Sequence, residues 1–183
     1  DINNGGSDSD PDSFTIVGDT LYFSAKTNSD GTELWKTDGT EVGTVMVKDI
    51  KSGQGNGDPA SLTAAGDTLY FTARDDPSTA YGSRELWKSD GTESGTVLFK
   101  QNASYLRQFG EHIYFNLDDK LWRSDGSIAG TEMISGTHSV WRTDYFATSD
   151  SIYFVEKSPT QPPPYSLLKI VKKSLNLEAL ATG

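Results

Sequence analysis

The chain has no cysteine, which excludes disulfides, thiolate metal sites and a cysteine nucleophile. Histidine is almost as scarce. The two present, His112 and His138, are scattered and do not make a zinc site or a triad. No nucleophile elbow, phosphate-binding loop or zinc-helix pattern occurs. Basic residues are outnumbered by acidic ones, 16 against 26, for a net charge of −10 over 183 residues. A surface that grips nucleic acid needs clustered Lys and Arg to neutralise phosphates, so this balance argues against a nucleic-acid partner. No apolar run approaches the ~20 residues of a membrane-spanning helix, and no stretch shows helical periodicity.

What the chain does have is repetition. Glu33-Leu34-Trp35-Lys36-Thr37-Asp38-Gly39-Thr40-Glu41-Val42-Gly43-Thr44 returns as Glu85-Leu86-Trp87-Lys88-Ser89-Asp90-Gly91-Thr92-Glu93-Ser94-Gly95-Thr96. A worn third copy runs from Lys120 to Thr131 and keeps Trp122, Asp125-Gly126 and Gly130-Thr131. Each copy predicts a short strand, a turn on Asp-Gly and a second strand opening at Gly-Thr, because glycine supplies the positive φ of the turn and β-branched residues suit a pleated surface. Another repeated phrase precedes each of these. Ser13 to Phe23 and Ser61 to Phe71 each centre on Gly-Asp, with weaker copies at Tyr105 to Phe115 and Tyr145 to Phe154.

Aligning Tyr22, Tyr70, Tyr114 and Tyr153 gives steps of 48, 44 and 39 residues, in or near the range of a four-stranded propeller blade. The expected fold is therefore all-β: a β-propeller of about four four-stranded antiparallel blades, closed as a small propeller or forming part of a larger ring. It occupies 1–183 as a single domain, with units at about 1–48, 49–100, 101–136 and 137–183. The fourth unit has decayed most. Leu167-Leu168-Lys169 stands where Leu34-Trp35-Lys36 stood, without Asp-Gly or Gly-Thr, and its last strand is expected around Leu177 to Leu180. Pro159-Thr160-Gln161-Pro162-Pro163-Pro164 reads as a stiff surface excursion, since prolines fix φ and donate no ladder hydrogen bonds. Asp1-Ile2 resembles the Asp49-Ile50 that ends unit one, the pattern of a chain cut from a longer array.

The words Glu-Leu-Trp-Lys-Thr/Ser-Asp-Gly-Thr-Glu-x-Gly-Thr-Val, with Val47-Lys48-Asp49-Ile50 and Gly-Asp-Thr-Leu-Tyr-Phe, closely resemble the ELWxxDGTxxGT repeat family of bacterial secreted and surface proteins. The match is strong for residues 1–100, fair to about Thr131 and weak beyond. The resemblance implies a β-propeller-like repeat in exported multidomain proteins, often adhesin-like, and an extracellular or cell-surface location. It supplies no catalytic residues.

Candidate site residues follow from departures from the repeat. Trp35, Trp87 and Trp122 recur at one position, which favours packing between units over a carbohydrate-stacking face. Trp141 lies outside the register, and with Tyr145 and Tyr165 it forms the candidate ligand-binding set. Asp38, Asp90 and Asp125 each precede a turn glycine and read as turn caps. Asp8, Asp10 and Asp12, three carboxylates at alternate positions, are candidate calcium ligands, because that spacing opens a calcium loop. The alternative is a solvated loop, since the glycine and distal glutamate of an EF-hand are lacking. Acidic residues such as Glu111, Asp118, Asp119 and Asp144 admit a carboxylate pair for glycoside chemistry.

The leading expectation is a non-catalytic module that binds a carbohydrate or protein ligand, or neighbouring modules or subunits, through variable loops at Asp75–Arg84 and Ser158–Tyr165. Calcium is its only candidate cofactor. The rivals are a hydrolase or lyase acting on polysaccharide, and a self-assembling subunit that adds strands edge to edge.

Overall fold

The computed structural model describes residues 2, 3, 7–75, 84–134, 139, 140, 146–148, 151–157, 165–171 and 174–182. Every regular element among them is a strand, so no helix there is long and apolar enough to cross a membrane. The chain divides into two compact units, Asp1–Leu106 and Arg107–Gly183.

The first unit holds two copies of one meander. Strands β1 (Asp12–Val17), β2 (Thr20–Thr27), β3 (Gly31–Thr37) and β4 (Val45–Lys48) pair in that order, as do β5 (Ala60–Ala65), β6 (Thr68–Ala73), β7 (Glu85–Ser89) and β8 (Val97–Lys100). All pairings are antiparallel, and the register is copied residue for residue. Tyr22 faces Lys36 and Phe23 faces Trp35; in the second sheet Tyr70 faces Lys88 and Phe71 faces Trp87. The predicted Gly-Asp turns close Val17 onto Thr20 and Ala65 onto Thr68, with Gly18 and Gly66 at φ of +58° and +56°, a conformation that favours glycine.

Both sheets open with a β-bulge that was not evident from hydrophobic alternation. Pairing jumps from Asp12↔Ser24 to Thr15↔Tyr22, and from Ala60↔Thr72 to Thr63↔Tyr70. The residues that absorb it, Ser13 and Ser61, have φ of +59° and +53°. Just before, Asp10 and Asp58 are also left-handed, and the third copy repeats both at Asn102 and Tyr105. Four-residue spacing of two strained positions is thus part of the repeat, re-aiming the first strand of each sheet.

One core joins the two sheets. Val17, Tyr22, Leu34, Val47 and Ile50 of the first pack with Leu69, Phe71, Ala73 and Trp87 of the second, and Leu62 and Ala64 lie half-buried against them.

The third sheet runs β9 (Ser104–Phe109), β10 (His112–Leu117), β11 (Lys120–Ser124) and β12 (Glu132–Met133) in order, with the division between units falling within β9. Tyr114 faces Arg123 and Phe115 faces Trp122, so the register persists with arginine in place of lysine. The fourth sheet departs from four strands. Its edge is shared by β13 (Ser139–Val140) and β14 (Phe146–Ala147), both paired to β15 (Ser151–Lys157), and it continues through β16 (Tyr165–Val171) to β17 (Ser174–Thr182). With seven residues, β15 is long enough to take two short partners in succession, Val140 at Glu156 and Phe146 at Tyr153. Within the second unit Phe109, Tyr114, Leu121 and Phe154 form a small core, with Ile134 against it.

Candidate functional site at the repeat turns

The Asp-Gly segments are three copies of one hydrogen-bonded device. The Asp38 carboxylate accepts from the Thr40 amide at 2.9 Å and from the Thr40 hydroxyl at 2.7 Å. That hydroxyl oxygen accepts from the Gly43 amide at 2.9 Å, and the Thr44 hydroxyl donates to the Thr40 carbonyl at 2.7 Å. The Thr37 and Thr44 hydroxyls meet at 2.7 Å, tying the two strands together. Asp90 with Thr92, Gly95, Ser89 and Thr96 repeats this, as does Asp125 with Ser127, Gly130, Ser124 and Thr131. The second glycine is demanded by space. A Cβ at Gly43, Gly95 or Gly130 would lie 2.0, 2.0 or 2.1 Å from the aspartate of its own turn. These bonds hold the carboxyls of Asp38, Asp90 and Asp125 below the usual carboxylate range; hydroxyl donation leads for the first two, and the Ser127 amide for Asp125. The aspartates therefore serve their turns, as residues that satisfy nearby backbone donors do.

The recurring tryptophans are packing residues. Trp87 stacks on Phe71 with centroids 6.4 Å apart and planes at 22°, and Trp35 and Trp122 face the matching Phe23 and Phe115 across the strands. All three indole N–H groups are enclosed without a hydrogen-bond partner in the protein, so the ring, not the donor, accounts for the position.

Between the first two sheets the turn becomes a socket. Lys36 of the first sheet donates to the Gly91 carbonyl of the second at 2.8 Å. Tyr22 packs so tightly there that a Cβ on Gly91 would lie 2.3 Å from its hydroxyl. Burial, and then the nearby Asp90 carboxylate, raise the Tyr22 phenol above its ordinary pKa. Lys48 reaches the Glu93 carbonyl at 3.4 Å, and the Thr15 hydroxyl donates to the Leu62 carbonyl at 2.9 Å.

A second device holds the linker that leads to this joint. Glu33, fully buried, accepts from the Ile50 amide and the Gly57 amide, each at 2.8 Å. Asn56 accepts from the Thr32 amide at 3.0 Å. The glycines let the linker lie against β3, since a Cβ on Gly31 would meet the Gly55 carbonyl oxygen at 1.9 Å. Loss of solvent outweighs the amide bonds and moves the Glu33 carboxyl from 4.5 to about 7.

The first sheet presents the same socket, open. Ile16, Gly18, Leu21, Thr37, Asp38 and Gly39 line a groove of about 470 Å³, and nothing lies within 4 Å of a Cβ built on Gly39.

Of the residues singled out from sequence, Trp141 and Tyr145 lie outside the described residues. Tyr165 begins β16, opposite Lys157 in the ladder. Asp8 accepts from the Asp10 amide at 3.2 Å, Asp10 occupies the left-handed position before Pro11, and Asp12 starts β1. Asp10-Pro11 is thereby the counterpart of Asp58-Pro59, where Asp58 pairs with Arg74 at 3.1 Å. Among the described residues no group of three or more His, Asp or Glu is arranged to hold a metal. Asp118 and Asp119 form the β10–β11 turn, with φ of +52° and +58°, and Glu111 is exposed in the turn before β10; Asp144 lies outside the described residues. The variable loops lie largely outside them as well. Sequence reasoning missed Glu33, Tyr22 and Lys36, although all three are identical between the first two copies, at Glu85, Tyr70 and Lys88.

No family model matches the sequence, and no curated protein matches it. Solved structures do. The chain is similar to part of the tricorn protease (12% identity, TM-score 0.56, covering 94% of this chain and 17% of that one). It is also similar to part of a puromycin-hydrolyzing peptidase of Mycobacterium tuberculosis (12%, 0.53, 97% and 29%), and of a puromycin hydrolase crystallised with PGG (15%, 0.57, 94% and 28%). The chain thus spans less than a third of these structures, and at such identity the likeness concerns the fold alone: all-β and propeller-like.

Proposed function

We propose that the chain is a non-catalytic, extracellular β-propeller module of about four blades, closed by itself or part of a larger ring, which binds a surface carbohydrate or protein ligand or presents neighbouring modules. The observation that carries this reading is the fate of the repeated carboxylates. Asp38, Asp90 and Asp125, the acidic groups that recur at one place in every well-kept copy, are each bonded into their own turn. The repeat therefore maintains a scaffold, and specificity falls to segments outside it. The exported location rests on the resemblance of residues 1–100 to surface-protein repeats and on an acidic, cysteine-free composition.

Glycan and peptide arrays probed with and without calcium test the proposal. Selective binding that chelator abolishes assigns Asp8, Asp10 and Asp12 as the calcium ligands. Binding indifferent to chelator assigns the contact to Trp141, Tyr145 and Tyr165, and their alanine variants should lose it. Release of reducing ends from a polysaccharide by the same preparation overturns the non-catalytic reading.

A further inference from the structure

The joint between the first two sheets shows what fills a repeat turn. The second sheet's socket is covered: Leu69 and Ser89 are buried, Gly91 is buried, and Leu62 and Ala64 lie half-buried against the shared core. The equivalent residues of the first sheet are open. Phe14 is 58% and Ile16 67% exposed, where Leu62 and Ala64 are half-buried, and Leu21, Thr37 and Gly39 are more exposed than Leu69, Ser89 and Gly91. Two apolar side chains beside an unfilled groove, on a face whose copy is a packed joint, form a docking surface whose occupant is shown by that copy.

The occupant must bring a tyrosine opposite a lysine on adjacent strands, the tyrosine to lie against Gly39 and the ammonium to meet its carbonyl. That register recurs in the fourth sheet, where Tyr153 faces Lys169, as Tyr22 faces Lys36 in the first. We propose that the Phe14–Ile16–Gly39 face of one chain receives the β15–β16 face of a second copy, reproducing the joint between the first and second sheets across two molecules. The contact joins two different faces, so it is heterologous, and it propagates head to tail into rings or open arrays. It differs from edge-to-edge strand addition, because the pairing is by side chains over a turn and no ladder is extended.

Sedimentation velocity on the full chain across about 1–100 µM, the span of ordinary homomeric affinities, tests this directly. Ile16→Arg places a charge on the receiving face at a residue the free chain leaves exposed, and Tyr153→Ala with Lys169→Glu disables the inserting face. Each variant alone should self-associate at least ~10-fold more weakly than the unmodified chain, the loss expected when an anchor at the centre of an interface is removed. Mixed in equal amounts, the two retain one good face each and should form one-to-one dimers and nothing larger. Circular dichroism melting of each variant checks that it is folded. An unmodified chain that stays monomeric throughout overturns the proposal. So does a folded pair of variants that fails to complement, or an Ile16→Arg chain that associates as well as the original. If the unmodified chain is monomeric and Ile16→Arg lowers its melting temperature, the face is filled from within the same chain and the two-copy joint is wrong.

Discussion

The first two sheets carry nearly the same words and the same register, yet the turn of one is buried and that of the other is open. Thr37-Asp38-Gly39-Thr40 and Ser89-Asp90-Gly91-Thr92 make the same hydrogen bonds with distances that agree within about 0.1 Å. Gly91 nevertheless lies under Tyr22 and Lys36 while Gly39 faces open space. The internal geometry of a repeat is thus set by its own residues, and its burial by whichever neighbour supplies the next face, which is the behaviour of quasi-one-dimensional stacks.

The sharpest way to break that comparison is to cut the linker that sets the two sheets face to face. Glu33→Ala leaves the Ile50 and Gly57 amides without their buried acceptor and opens a void beside Leu34, a loss of about 3–5 kcal/mol. Urea denaturation measures it. The same carboxyl makes the joint pH-dependent. Its folded pKa of about 7 lies above the ordinary 4.5, so between those values the folded chain holds a proton that the unfolded chain has released. This contribution to stability is fully present below about 4.5 and is lost as pH rises through about 7, by up to ~3 kcal/mol. Urea midpoints should therefore fall between pH 5 and pH 8, and Glu33→Gln, which keeps the shape but cannot ionise, should flatten that slope. A slope unchanged by the substitution would show that another group titrates.

A smaller and more local contrast comes from placing one methyl group in each socket. Gly91→Ala adds a Cβ 2.3 Å from the Tyr22 hydroxyl at a φ of +86°, combining overpacking with left-handed strain for about 2–4 kcal/mol. Gly39→Ala adds the same atom at φ +91° with nothing within 4 Å, leaving only the strain, about 1 kcal/mol. Equal losses at the two glycines would mean that Tyr22 simply swings away.

How much of this was legible in the sequence follows the same division. The Gly18-Asp19 and Gly66-Asp67 turns, the Asp38, Asp90 and Asp125 caps and the four-strand repeat are local, written in residues within a few positions of one another, and they were readable. The role of Glu33 was not, because its partners Ile50 and Gly57 lie 17 and 24 residues away, and a buried strand glutamate looks like any charged residue on an alternating face. Tyr22 and Lys36 were visible as repeated letters, but which of them faces the next repeat depends on how two sheets stack. The bulges at Ser13 and Ser61 were hidden because the strained residue is an ordinary serine. In the fourth sheet the two-part edge of Ser139–Val140 and Phe146–Ala147 carries no repeat word at all.

The smallest effect should come from the capping aspartates, and its size relative between copies is the informative quantity. Asp38→Asn and Asp90→Asn keep an oxygen for the threonine donors while removing a charge from groups that are fully exposed in both repeats, so most of each turn survives. Both carboxyls lie below the ordinary carboxylate range, so their stabilisation is present above that range and lost as pH falls through their lowered folded pKa values. If the turns are self-contained, thermal melting should give equal, small decrements for the two variants at neutral pH and none in strong acid. Asp90 differs in one respect: Lys36 lies beside it and contributes to lowering its pKa, whereas no such lysine is among the causes for Asp38. A slightly larger decrement at Asp90 that disappears in the Lys36→Met background would measure the electrostatic part of the joint. An equal decrement in both backgrounds would leave the lysine's role to its bond with the Gly91 carbonyl, which the aspartate substitution does not touch.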